Sequence, residues 1–215
     1  VLSDMRVFRS PWLGALAVSA WLGLAALPCP PAVQAGGLDQ AKAGLTALAG
    51  QDYRLAVTQL TEAMDSNELP SEKVHLFLVA RGYAKAALGD FNAAIEDYTK
   101  ALAKDAGFVP ALFNRGNANF ALRHYDLAIS DYSKALEADV KDVKALNNRG
   151  AAWFKRGNLQ SAMANYSMAI SADPDDPDLY LNRGKAYEAL GEADKAREDF
   201  LQVKKLDPSA KTPLD

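Results

Sequence analysis

An Arg-Gly pair returns every 34 residues along this chain, at Arg81-Gly82, Arg115-Gly116, Arg149-Gly150 and Arg183-Gly184. Asparagine precedes three of the four pairs, at Asn114, Asn148 and Asn182. Two more columns keep the same step: Ala94, Ala128, Ala162 and Ala196, then Tyr98, Tyr132, Tyr166 and Phe200. A fixed period of this size restricts the chain to a stack of supersecondary units, each burying its apolar face against its neighbour. Stacks of this kind serve more often as surfaces for partners than as sites for chemistry.

Within one unit the spacing is helical. Between Val109 and Asp142, the residues Ala111, Leu112, Arg115, Gly116, Ala118 and Asn119 mark one helix face at steps of three and four. After a break at His124, Tyr125, Ala128, Ile129, Tyr132, Ala135 and Leu136 mark a second. Gly89-Asp90, Gly157-Asn158 and Gly191-Glu192 suit left-handed helix ends. Asp173-Pro174 and Asp207-Pro208 stop the second helix of their pairs, because proline cannot continue one. No run alternates with period two, so no strand is expected. A glycine in mid-helix costs roughly 1 kcal/mol relative to alanine. Four at one step therefore need a steric reason, and close approach of two helix backbones is the expected one. The alanine column would meet that contact from the other helix, and the tyrosine column would bury large area between layers.

The first 35 residues have a different character. Arg6 and Arg9 precede an uncharged apolar run from Trp12 to Leu27, then Pro28, Pro30 and Pro31, then Val33-Gln34-Ala35 before Gly36. That is the order of an export signal, with cleavage expected after Ala35. The alternative is an uncleaved segment that anchors the chain, although the run is shorter than the roughly 20 residues a span needs. The sequence begins at Val1, and Met5 directly precedes the basic cluster. Net charge is -3, and without the leader's Asp4, Arg6 and Arg9 the rest stands at about -4, which argues against an electrostatic nucleic-acid surface. The single cysteine, Cys29, falls in the leader, so neither a disulfide framework nor a thiolate metal site is expected in the mature chain. Export without cysteines fits a bacterial periplasm.

The glycine column at Gly82, Gly116, Gly150 and Gly184, the alanine and aromatic columns that follow, the turn glycines and Asp173-Pro174 together resemble the tetratricopeptide repeat, a helix-turn-helix unit of 34 residues. A fainter first unit fits at Gly44, Tyr53, Ala56, Leu60 and Ala63, with about four extra residues near Asn67 to Ser71. Arg123 stands where other turns carry glycine, and Ala106 and Val140 where others carry proline. The resemblance implies an all-α, right-handed α-solenoid of about five repeats. They are a divergent repeat over 36–70, then repeats at about 75–108, 109–142, 143–176 and 177–208, with a tail over 209–215. Two outward columns change at the end. Val57, Ile95, Ile129 and Met163 give way to Arg197, and Met64, Leu102, Leu136 and Ile170 to Lys204. A polar closing face of this kind is what a solenoid end requires, so the array is expected to finish near Pro208.

The repeated arginines suggest a ligand ladder, but Asp97, Asp131 and Asp199, with Asn165 between, recur one position before the aromatics. Pairing between these columns across helices is the simpler expectation, because binding residues should differ from repeat to repeat. By the resemblance, the first helix of each pair lines a concave groove. Its lining positions are Val79 and Tyr83; Phe113, Asn117 and Phe120; Asn147 and Phe154 with Ala151; and Leu181 and Lys185. Aromatics with scattered donors suit a peptide or protein segment. The set lacks the Lys-Asn-Lys-Arg clamp with which some family members grip a terminal carboxylate. His75 and His124 stand alone, and no metal-ligand spacing, nucleophile elbow or phosphate loop occurs, so neither enzyme nor cofactor is expected. The reading is an exported, non-catalytic adaptor. The alternative is a self-assembling structural subunit of an envelope complex, using Tyr53, Leu60 or the outer face of the first repeat.

Overall fold

In the computed structural model, residues 36–214 are described, and every regular element among them is a helix. In chain order these are α1 (Gly37–Ala49), α2 (Tyr53–Asp65), α3 (Val74–Ala87), α4 (Phe91–Lys104), α5 (Val109–Ala121), α6 (Tyr125–Ala138), α7 (Val143–Arg156), α8 (Leu159–Ala172), α9 (Pro177–Ala189) and α10 (Ala193–Leu206). The expected leader, its Val33-Gln34-Ala35 site and Cys29 lie outside the described residues. The chain divides into two compact units, whose described parts are residues 36–118 and 119–214.

Local chemistry sets the helix ends. The Asp52, Asp90 and Asn158 side chains accept from the Leu55, Ala93 and Ser161 N–H groups at 3.0, 3.1 and 3.0 Å, each closing the first turn of a second helix. Asp142 does the same for Ala145 at 2.8 Å on α7. Pro177 opens α9, where its missing N–H costs nothing. Four of the five second helices, α4, α6, α8 and α10, end on an extended aspartate, at Asp105, Asp139, Asp173 and Asp207, whether or not proline follows, and α2 ends at Ser66 in a helical conformation. The turn before each second helix has one left-handed residue. Gly157 (φ 92°) fills the position in one hairpin, and Arg123 (φ 62°) holds the same conformation in another.

The unit spanning residues 36–118 packs α1 against α2 and α3 against α4 around Ala41, Leu48, Ala56, Leu60, Phe77 and Ala84. The extra residues near Asn67 to Ser71 act locally, because the Glu68 carboxylate accepts from the Gly37 N–H at 2.6 Å and closes the start of α1. In the unit spanning residues 119–214, α7 packs on α8 and α9 on α10, and α7 and α9 also touch the second helix of the preceding hairpin. Ala162, Tyr166 and Ala186 form a core there, covered by Trp153, Phe154 and Met163.

The glycine column marks tight packing, but the partner is a ring rather than a helix backbone. A methyl placed on Gly82 would come within 2.7 Å of Tyr98 Cε1, on Gly150 within 2.7 Å of Tyr166 Cε1, and on Gly184 within 2.5 Å of Phe200 Cε1. Each ring lies over the glycine of its own hairpin and is buried. The lost helix propensity is offset by a seat for a large buried ring. In the first hairpin the smaller Leu60 takes the ring's place over Gly44 at 2.7 Å, which explains why that unit is faint in the sequence.

Candidate functional site

The arginine column builds the scaffold. Arg81 donates from Nε and Nη2 to the Asp97 carboxylate at 2.9 and 2.6 Å and from Nη1 to Thr61 Oγ1 at 3.1 Å. Arg183 repeats the pattern with Asp199 at 2.9 and 2.7 Å and Ser167 at 3.1 Å. Arg149 occupies the same seat with an amide partner, donating to Asn165 Oδ1 at 2.7 Å and Ser133 Oγ at 3.1 Å. The hydrogen bond from Arg183 to Asp199 raises the Arg183 pKa, whereas desolvation lowers that of Arg149, which has no carboxylate in that seat. In each case one guanidinium ties its own second helix to the previous one, a role for a rigid fork of donors.

The expected lining residues separate by exposure. In the unit over 36–118, Val79 (3%), Phe113 (2%) and Asn117 (7%) are buried, and Tyr83 is partly exposed, edge-on to Tyr53 at 6.3 Å between ring centroids. Burial, with the Tyr53 hydroxyl behind it, raises the Tyr83 pKa. In the unit over 119–214, Phe120 and Asn147 are buried, and Phe154, Leu181 and Lys185 are partly exposed. Large apolar side chains gain about 1.5–3 kcal/mol by leaving water, which drives those at a seam between packed helices inward. Val79, Phe113 and Phe120 therefore belong to the core of their units, and Asn117 and Asn147 are buried beside them.

The partly exposed residues of 119–214 fall on two neighbouring first helices. Leu181 and Lys185 stand four apart on α9 and so share a face. Asn147 and Phe154 stand seven apart on α7, two turns along one face. Asn182 Nδ2 donates to Asn147 Oδ1 at 3.0 Å, a buried bond that joins the two helices beside that face. The sequence pattern assigns these two asparagines separate roles, one as a repeated residue and one as a lining residue. Their position in adjacent columns one period apart is the signal that could have joined them. Phe154 also has a structural part, since it packs on the Ala162, Tyr166 and Ala186 cluster. The Lys155 ammonium stands 6.0 Å from its ring centroid.

Among the described residues no group of three or more His, Cys, Asp or Glu side chains could hold a metal ion. His75 is edge-on to Phe108 at 4.8 Å, and His124 is exposed at the start of α6. No described helix is long and apolar enough to cross a membrane.

Family models for the tetratricopeptide repeat match residues 41–107, 109–142 and 177–210, and a further TPR repeat model matches 152–191. No curated protein matches the chain in sequence. Similar solved structures include a crystal structure of MamA, 22% identical with a TM-score of 0.71, covering 77% of this chain and 94% of that one. Another is MamA from residue 41 to its end from Desulfovibrio magneticus RS-1, 20% identical with a TM-score of 0.76, covering 84% of this chain and 100% of that one. A third MamA structure is 21% identical with a TM-score of 0.73, covering 82% and 98%. At these identities the likeness is one of fold.

Proposed function

Because the chain is an array of tetratricopeptide repeats, an interaction fold, we propose that it is a non-catalytic module that holds a peptide or protein segment on the first-helix face of its last two hairpins. One observation carries this reading: Phe154, with Leu181 and Lys185, which differ from their counterparts in the other repeats, stay partly exposed while the repeated glycine, alanine and aromatic columns are buried. An apolar side chain of the segment would pack on Phe154 and Leu181, and an acidic group would meet Lys185. Interface energy concentrates in a few aromatic and charged anchors, which makes these three the residues to test. Tyr83 is the corresponding accessible aromatic in the unit over 36–118.

A photo-crosslinking side chain placed at Phe154 in the native host, and at exposed Lys134 on α6 as control, tests the face. Crosslinks to a defined segment from position 154 and none from 134 are expected. Crosslinks from 134 alone would move the binding face to the second helices. Export is a separate part of the proposal, supported by Arg6, Arg9, the Trp12 to Leu27 run and Val33-Gln34-Ala35. Intact mass of the protein from an envelope fraction should give a chain beginning at Gly36, and a retained leader would sink the cleavage claim.

A further inference from the structure

Every second helix except the last passes a hydroxyl to the first helix that follows it. Arg81 donates to Thr61 Oγ1 at 3.1 Å, Arg115 to Thr99 Oγ1 at 3.2 Å, Arg149 to Ser133 Oγ at 3.1 Å and Arg183 to Ser167 Oγ at 3.1 Å. The tyrosine one position earlier can make a second link, as Tyr132 does with Asn148. Apolar side chains about one turn to either side, such as Ile129 and Leu136 on α6, are buried on the same side of the helix. Oxygens in the middle with apolar residues above and below are thus the set with which a second helix receives the next one.

On α10 that set is inverted. Phe200 stands in the tyrosine column and Leu201 in the hydroxyl column, so both linking oxygens are gone. Arg197 and Lys204 stand in the two apolar columns. A helix face that met only water would gain nothing by exchanging serine for leucine, yet Leu201 is 50% exposed. It keeps that exposure with residues 207–214 in place, so the tail does not cover it. Arg197 and Lys205 are exposed four residues to either side of it and share its face. Another repeat of this kind would bring its own arginine against Leu201 and beside Arg197, which closes the face to a further hairpin. A helix with the opposite pattern, apolar in the middle and acidic above and below, meets no such conflict.

We propose that the end face of α10 docks an acidic amphipathic helix of a partner protein, in the place where every other second helix receives a first helix of this chain. Apolar side chains of that helix cover Leu201, and carboxylates one turn to either side meet Arg197 and Lys205. The face shares no residue with Phe154, Leu181 and Lys185 and does not depend on the reading of the first-helix face.

The test is fluorescence anisotropy of a labelled, helix-stapled Glu-Glu-Ala-Ala-Leu-Leu-Ala-Ala-Glu-Glu peptide with the full chain at low ionic strength. Versions with glutamine or lysine in place of glutamate are the controls. Leu201→Ser supplies the hydroxyl of the other second helices at an exposed position, so Tm should hold while the acidic peptide weakens about tenfold. Arg197→Glu should weaken it by a similar factor and let the lysine peptide bind, a reversal that a structural defect would not produce. Phe154→Ala should leave binding unchanged. Absent binding, equal binding of the glutamine peptide, undiminished binding in either α10 variant, or loss in Phe154→Ala would overturn the assignment. So would dimers of the chain alone that Leu201→Ser dissolves, which give the face to a second copy, or capture by phosphatidylglycerol vesicles lost in the same variants, which gives it to a membrane.

Discussion

Tyr132 and Tyr166 occupy the same position in consecutive hairpins, and both are fully buried, yet their hydroxyls are wired differently. The Tyr132 hydroxyl is hydrogen-bonded to Asn148 of the next hairpin. The equivalent asparagine for Tyr166 is Asn182, but its amide turns to Asn147 Oδ1 at 3.0 Å, and the Tyr166 hydroxyl has no partner among the described residues. The tyrosine and the asparagine that follows it 16 residues later are the same in the two layers. The difference comes from the non-repeating column: Asn147 offers an acceptor where Val79, Phe113 and Leu181 offer none. A column that repeats fixes where a side chain sits, and its non-repeating neighbour decides what it bonds. Variation on the first-helix face therefore reaches into the core.

The largest effect is expected at the ring seat that the layers share. Gly150→Leu places a branched side chain where even a methyl would stand 2.7 Å from Tyr166 Cε1, and should cost about 3 kcal/mol or more by overpacking. Gly50→Ala, whose new methyl would meet nothing closer than 3.6 Å, is the control. Equal urea midpoints for the two variants would show that the glycine column does not mark tight packing.

Alkali tests both tyrosines together. Burial, the largest cause, raises the pKa of Tyr132 and Tyr166 above the ordinary value of 10.0. A hydroxyl protonated in the folded chain and ionised in the unfolded one leaves stability intact below pH 10 and removes it as pH rises beyond. The loss is about 1.4 kcal/mol per pH unit for each tyrosine. Urea titrations across that range should show the slope reduced equally by Tyr132→Phe and Tyr166→Phe.

At pH 7 the same two variants should part company. Tyr132→Phe breaks a buried hydrogen bond and should cost about 1 kcal/mol, while Tyr166→Phe removes a hydroxyl with no described partner and should cost nothing or stabilise slightly. Asn147→Leu, which takes the acceptor away, should free Asn182 for Tyr166 and make Tyr166→Phe costly. Equal losses in all backgrounds would mean that the two layers are wired alike.

The periodic part of this architecture was legible because each column answers to a single steric or electrostatic demand. Gly82, Gly150 and Gly184 announced tight contacts, Arg81 with Asp97 and Arg183 with Asp199 announced cross-helix pairs, and Gly157 announced a left-handed turn. Three things were not legible. The partner of the glycines was a ring, because a one-dimensional pattern gives spacing and not the direction of an aromatic side chain. Val79, Phe113 and Phe120 were assigned to a lining by column, but exposure depends on how closely successive first helices pack, and bulky apolar side chains there turn inward. Arg123 holds the left-handed turn that glycine holds in other hairpins, at φ 62°, although the sequence there shows a side chain that rarely adopts it.

The claim that repeated columns build while the varied first-helix face binds is tested most directly by calorimetry with the segment crosslinked from position 154. Phe154→Ala and Lys185→Ala should each weaken its binding by roughly 1–3 kcal/mol, and Lys134→Ala, on the exposed side of α6, should change it by less than about 0.5 kcal/mol. Equal losses in all three, or loss only in Lys134→Ala, would contradict the account.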